Sequence, residues 1–546
     1  MTPQSMPQGR EAYDYPLLIK QLWNNVLVRF SDQEIVYRDL KRFTYRQLRE
    51  RVGRLANVLA GLGVKQGDTV AVMDWDSHRY LGAYYAVPMM GAVLMTVNVR
   101  LSPKELVYTI TQSGASVLLV NADFKAAIDE IRGELTTVKT YIWLDDKESA
   151  PPAGENYAGE YERLLAAASP EYAFPDFDEN TRATTFFTTG TTGLPKGVYF
   201  SHRQLVLHTL AVMASGATGN GIHGFNAMQV YMPMTPMFHV HAWGCPYAAL
   251  LLGIKQVYPG RYLPETLLDL IQREGVTYTH CVPAILQMLL NHPKSKEVDF
   301  NGFSINIGGS ALSTGLAEAA RARGMNIFGG YGMSETCPFL ATAIPHPILG
   351  KLDGDDDLTI RCKAGAPSPL VEIRIVDANM HDVPAGEPGE IVVRAPWLTM
   401  GYSNNEAASH DLWTGGYLHT QDIGYFDRGY LKITDRIKDV IKTGGEWVSS
   451  LQIEDLISTH PAVGECAVIG VVDEKWGERP LAIVVAKAGM TVEPDEIRKH
   501  VKISADSGVI PKYAVPEKIL VVDSIARTSV GKLDKKKLRQ QYADAS

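Results

Sequence analysis

Thr188 to Gly197 reads TTGTTGLPKG, with four threonines, three glycines and one lysine in ten positions. Glycine lets a backbone turn its N–H groups inward, threonine hydroxyls add donors, and Lys196 adds a point charge. Together these make a cradle for phosphate oxygens. The spacing is not that of the P-loop, G-x-x-x-x-G-K-[ST]. Counted from Gly190, Pro195 stands where the second glycine belongs, and Gly197 follows Lys196. On composition alone, a Gly/Thr-rich surface loop is the competing reading. Other groups are weaker. FHVHAWGC offers His239, His241 and Cys245, but H-x-H-x-x-x-C has no clear fourth ligand, so zinc is not expected. GGSAL and GMSET begin like a nucleophile elbow and end in Leu312 and Thr336, which argues against a serine hydrolase. Taken singly, Glu335 reads as a helix-start carboxylate, Asp422 as a turn residue and Lys532 as part of a solvated basic face.

The elements that must hold these residues alternate along the chain. LRERVGRLANVLAGLG is an amphipathic helix ending at glycine, and DTVAVM, SVLLVN, TYIWLD, VYMPM, KQVYP and VTYTHCVPA have strand length. Helical patterns such as PETLLDLIQREG and STGLAEAARARG lie between them, the signature of α/β layers with largely parallel sheets. The uncharged stretch Tyr80–Val99 is long enough for a membrane span, but Pro88 and Gly91 interrupt it; it reads as a buried helix, a stop at Gly91 and a strand. From Val371 short alternating runs, VEIRIVD, GEIVVRAP and GYLKITD, predict a β-rich subdomain over about 360–437. The run Asp353–Asp357 reads as a solvated loop. An α+β region follows a boundary near Arg436–Lys438, opening with SSLQIEDLIST and a capping box from Ser449 to Gln452. The expected division is therefore 1–437 and 438–546. Over 546 residues, 53 Lys+Arg stand against 61 Asp+Glu, a net charge of −8 that argues against a general nucleic-acid binder. Five scattered cysteines without C-x-x-C, and a start lacking a basic and apolar leader, make a reducing cytoplasm the expectation.

With its flanks, Thr184 to His202 resembles the phosphate loop of the adenylate-forming superfamily of acyl-CoA synthetases, firefly-type luciferases and peptide-synthetase adenylation domains. Four segments continue the resemblance in the family's order: YGMSET (Tyr331 to Thr336), the second nucleotide motif; YLHTQDIGYFD (Tyr417 to Asp427), the ribose motif; ITDRIKDVIKTGGEWVSS (Ile433 to Ser450), the hinge; and ARTSVGKLDKKKLR (Ala526 to Arg539), the catalytic-lysine motif. MFHVHAW, IKTGGEW and RTSVGKLDKK are most similar to the fatty-acid–CoA ligase branch, which includes ligases for short thioether acids such as methylthiopropionate. Two positions depart from the family pattern: Gln421 stands where TGD has glycine, and Ala526 where proline precedes Arg/Lys-Thr.

The resemblance implies a large α/β domain with a small β subdomain, a mobile C-terminal α+β domain, and two half-reactions. A carboxylate attacks the α-phosphorus of ATP to give acyl-AMP and pyrophosphate; the thiol of CoA then displaces AMP. The carboxylate is ionised at neutral pH and needs no base, so catalysis is charge neutralisation and alignment. By the same resemblance Thr188, Thr189, Gly190, Thr191, Thr192 and Lys196 surround the phosphates, and Glu335 with Thr188 holds Mg²⁺. Gly330, Tyr331 and Ser334 belong to the second nucleotide motif, with Tyr331 on adenine. Gly308 and Gly309 let the backbone lie against adenine and the acyl group. Asp422 and Arg436 hold the ribose, and Lys532 bridges carboxylate and α-phosphate. His239 and Val240 flank the acyl site, and Trp243 matches the gate of the acyl tunnel. Lys438 is the hinge. Gly444 and Gly445 line the pantetheine tunnel, and Lys442 and Trp447 contact the nucleotide. A medium-chain fatty acid is the first expectation for the acid, with a short thioether acid or a longer chain as alternatives. A ligase loading a carrier-protein thiol and a luciferase-like oxygenase are rival acceptor chemistries. Homodimers are common in the branch.

Overall fold

The computed structural model describes residues 11–153, 156–188, 194–218, 224–350 and 352–542. The continuous apolar runs become central strands buried on both faces, as parallel sheets require. Seven strands form the first sheet, in the order Tyr157–Glu160, Thr140–Leu144, Ala115–Asn121, Thr69–Met73, Val93–Thr96, Arg182–Thr188 and Lys196–Ser201. All neighbours run parallel except the last pair. The helix Tyr45–Gly61 starts on a Thr44–Gln47 capping box and buries Leu48, Val52, Leu55 and Leu59, one face of a 3.6-residue period. Tyr80–Val99 divides as expected: helix His78–Met89, Gly91 at φ +85°, then strand Val93–Thr96. Among the described residues no helix is long and apolar enough to cross a membrane.

A second sheet carries Tyr278–Cys281, Ser304–Ile307 and Asn326–Gly332 in parallel, with Phe339–Thr342 and Ala366–Pro367 added antiparallel. The β-rich part is a four-stranded antiparallel sheet, Glu372–Val376, Gly389–Arg394, Leu418–Asp427 and Tyr430–Arg436. Five residues after Arg436, strand Ile441–Thr443 enters another sheet, with Glu446–Val448, Gly477–Ala486, Val463–Asp473 and Lys518–Val521. This last sheet and its helices form the smaller C-terminal domain.

Two expectations need correction. The acidic run Asp353–Asp357 is not a loop: Gly354–Arg361 is a helix capped by Asp353, whose carboxylate accepts from Asp355 and Asp356 N–H. Acidic groups in a first turn complement the helix dipole, and Arg361 bonds Asp357 one turn on. VYMPM makes only isolated bridges at Tyr231, since Pro233 cannot donate to a ladder. The helix Ser450–Ser458 has half of the expected capping box: Ser449 accepts from Gln452 N–H.

The small domain is seated on the large one. Thr314 donates from N and Oγ1 to Asp455 at 2.8 and 3.2 Å, and Gln287 Nε2 donates to Gly464 O at 2.6 Å. Val530, near the C-terminus, is buried within the large domain's main apolar cluster.

Candidate active site

The threonine-rich segment bridges the antiparallel pair at the sheet's edge, where Thr188 faces Lys196 in register. Thr189, Gly190, Thr191 and Thr192 lie outside the described residues. Lys196 points its ammonium at the ring of Tyr402, 4.6 Å from the centroid. The same tyrosine donates its hydroxyl to Glu335 Oε1 at 2.7 Å. Glu335 is buried on the short helix Ser334–Thr336. The segment around Tyr402 is stitched to both partners: Thr399 N donates to Glu335 O at 2.9 Å and Ser403 N to Gly197 O at 2.8 Å. Tyr402 thus joins the phosphate-loop lysine to the candidate metal carboxylate. It escaped the sequence reading because one aromatic in GYSNN has no chemical signature of its own.

Asp422 and Arg436 face each other across neighbouring antiparallel strands. Arg436 Nε donates to Asp422 Oδ1 at 3.1 Å, and Tyr331 donates its hydroxyl to Oδ2 at 2.8 Å. Each carboxylate oxygen keeps a further lone pair for another donor. The departure at Gln421 has a visible form: its φ is +59°, in the region glycine favours. This twist lets Gln421 O accept from Ile437 N at 3.0 Å while Asp422 stays buried, its N–H donating to Thr420 Oγ1 at 3.1 Å.

Lys532 arrives on a tight loop. Thr528 N donates to Lys532 O at 2.8 Å, Gly531 N to Thr528 O at 2.9 Å, and Arg527 ties the loop to Gly531 O and Glu465. These bonds do what the missing proline would have done, so Ala526 leaves the turn closed. A Cβ on Gly309, whose φ is +77°, would meet Lys532 Cε at 3.1 Å and Val282 Cγ1 at 3.2 Å; only glycine allows this approach. Burial, then the nearby Arg436 guanidinium, pulls the Lys532 ammonium down to about 8, against the opposing pull of Asp422 and Glu335. His239 faces the same charge. Burial and then Lys532 hold it down at about 3, so it is a neutral imidazole at pH 7. Its segment is anchored by Asp76, which accepts from Met237 N at 2.8 Å and Tyr262 OH at 2.5 Å. Burial pushes that carboxyl up to about 7.

Val240, His241, Ala242 and Trp243 form a left-handed turn with φ from +47° to +57°. A β-branched residue there is a genuine outlier. The turn lays Trp243 across Gly308, where a Cβ would come within 2.8 Å of the indole Cη2 and 3.1 Å of Gly330 O. Trp243 stacks on His280 with centroids 4.9 Å apart and meets Phe339 edge-on. His280 is spent on Tyr231 OH and Thr235 Oγ1. Among the described residues no group of three or more His, Cys, Asp or Glu is placed to hold a metal.

The structure therefore brings Glu335, Asp422, Arg436, His239, Gly309 and Lys532 into one neighbourhood. Lys442, Gly444, Gly445 and Trp447 stand elsewhere. They are exposed on the hairpin Ile441–Thr443/Glu446–Val448, whose bonds run to Trp476 O and Glu478. Lys438 is exposed between the two sheets; burial of its stem and then Arg436 lower its ammonium.

Comparison with known proteins agrees with this geometry. The profile of the AMP-binding enzyme family matches residues 23–403, and that of its C-terminal domain matches residues 452–532. The long-chain-fatty-acid–CoA ligase of Thermus thermophilus is 39% identical over 94% of this chain and 93% of its own length. The 3-methylmercaptopropionyl-CoA ligase of Ruegeria lacuscaerulensis is 34% identical, covering 97% of this chain and 98% of its own. The crystal structure of ATP-bound MatB from Rhodopseudomonas palustris superposes with a TM-score of 0.81 at 25% identity, over 97% of this chain and 100% of that one. Buried Glu335 and Asp422 and a lysine delivered from the far end of the chain thus coincide with whole-length likeness, and the chain belongs to the AMP-binding enzymes as an AMP-forming acyl-CoA synthetase.

Proposed function

We propose that the acid activated here is a medium-chain fatty acid, recognised by an apolar wall of Val240, Trp243 and Phe339 over Gly308. The carrying observation is Trp243 lying across Gly308: it leaves no room for a side chain there and presents carbon to the tail. Val240, Trp243 and Phe339 carry no charge to recognise a second carboxylate. The reading rests on residue roles as follows. Lys196 and Thr188 hold phosphate oxygens, Asp422 and Arg436 the ribose hydroxyls, and Lys532 neutralises carboxylate and α-phosphate as they meet. The neutral His239 adds a hydrogen bond beside the acyl carbonyl. Glu335 and Thr188 suit Mg²⁺, a hard ion that takes one or two protein oxygens and completes its shell from phosphates and water. Once bound it supplies charge neutralisation on the polyphosphate. After pyrophosphate leaves, the small domain turns about Lys438, withdraws Lys532 and presents Gly444 and Gly445 to pantetheine.

A chain-length series tests the acid. kcat/KM is expected to rise about fourfold per methylene, to peak at medium length, and to fall once the floor is met. A maximum at 3-methylmercaptopropionate would favour the thioether-acid reading, which the Ruegeria relative supports. Continued rise into long chains would sink the medium-chain assignment.

A further inference from the structure

The loop carrying Lys532 touches the large domain at a second place, through Ser529. Asn98 Nδ2 donates to Ser529 Oγ at 3.1 Å, and Arg100 Nη1 donates to Ser529 O at 3.0 Å. The two donors lie two residues apart, and their acceptor is more than 400 residues further along the chain. They are also mutually fixed. Asn98 is 7% exposed, and its Oδ1 accepts from Arg100 N at 3.1 Å, so one buried side chain shapes the turn and faces the loop. That turn follows strand Val93–Thr96, a central member of the large parallel sheet, and is therefore rigidly based. On the other partner, the neighbours of Ser529 complete the seat. Val530 is buried in the large domain's cluster, a Cβ on Gly531 would meet Val282 Cγ2 at 3.4 Å, and Lys532 lies over Gly309.

We propose that Asn98 and Arg100 form a catch for Ser529 that keeps Lys532 in its adenylating position, which makes them positioning residues for the first half-reaction and not for the second. This rests on the reading of Lys532 and of the domain turn given above. A net hydrogen bond shifts a population ratio by about 2- to 12-fold, and Arg100 belongs at the upper end because its donor is charged. Two such bonds tilt the small domain toward this seat yet release it within a turnover. Neither residue needs to touch ATP, acid or CoA for this.

The test separates the half-reactions. Pyrophosphate release is followed in a single turnover, and thioester formation is followed separately from supplied acyl-AMP and CoA. Asn98→Ala and Ser529→Ala are each expected to slow pyrophosphate release about 2- to 10-fold, with the double variant no slower than the worse single. Thioester formation stays at the wild-type rate or rises. Arg100→Met should lose roughly tenfold, and Arg100→Lys should recover part of it, since the acceptor is a carbonyl. Equal slowing of both half-reactions, or losses at Asn98 and Ser529 that multiply, would overturn the catch. Lys532→Ala is the control arm. If it leaves pyrophosphate release intact, the reading of the lysine fails. If it abolishes release while the catch variants match wild type, the catch alone fails.

Discussion

Lys532 is the side chain whose chemistry is most exposed to experiment. Its ammonium is held near 8 by burial and by Arg436, so it is charged below that pH and neutral above it. On the role proposed for it, loss of the charge removes the group that screens carboxylate from phosphate. The kcat/KM for pyrophosphate release, which reports the free enzyme, should therefore fall as pH rises through about 8. The corresponding limb in kcat should lie higher, because bound polyanion stabilises the ammonium. Lys532→Ala should cost on the order of 10²-fold in release and abolish the limb; a limb that persists in that variant assigns the titration to another group. The lysine was legible in the sequence only through its place in an ordered set of motifs, since GKLDKKKLR by itself is a charged helix start. Tyr402, Asp76 and Asn98 were not legible at all. Their work is done by contacts to distant segments, and a single sequence does not reveal which segments meet.

The elements show why some motif positions tolerate change. Gln421 holds an αL conformation that costs a non-glycine residue about 1–2 kcal/mol. A glycine there would escape that cost but would add about 0.5–1 kcal/mol of unfolded-chain freedom. Gln421→Gly should then stabilise the protein by about 0–1.5 kcal/mol, read as a higher denaturant midpoint at unchanged slope. A lower midpoint would mean that the contacts of the Gln421 side chain are worth more than the strain costs, since the bond from Gln421 N to Glu390 Oε1, 3.2 Å long, is a backbone bond that glycine keeps. The parallel strands and their helices were readable because burial on both faces writes a continuous apolar run, as in TVAVM and SVLLVN. The acidic helix Gly354–Arg361 was not, because its charges mimic a solvated loop while acting as cap and first turn. The left-handed turn Val240–Trp243 was equally hidden: Val, His, Ala and Trp carry no preference for positive φ, and packing holds it, Trp243 against His280 and Phe339 and His241 against Tyr84 and Phe186.

In the whole molecule, the two sets of residues on the small domain to which roles are proposed face different ways. Lys532 is seated over Gly309, whereas the Gly444–Gly445 hairpin is at the solvent face. On the proposed roles they serve one large domain in turn, and Lys438 lies where the chain passes between sheets. Proline fixes φ near −65° and removes a donor, so Lys438→Pro restricts the backbone rotation that a turn requires. Thioester formation should slow by roughly tenfold or more relative to adenylation, measured as AMP release with CoA against pyrophosphate release without it. Equal loss in both would place the pivot elsewhere. The burial of Val530 has a consequence for anyone dividing this chain. A valine from the last twenty residues fills a socket in the larger body. Cutting the protein at its apparent waist therefore leaves the bigger piece with an uncovered greasy hollow, and the smaller one with a sticky plug.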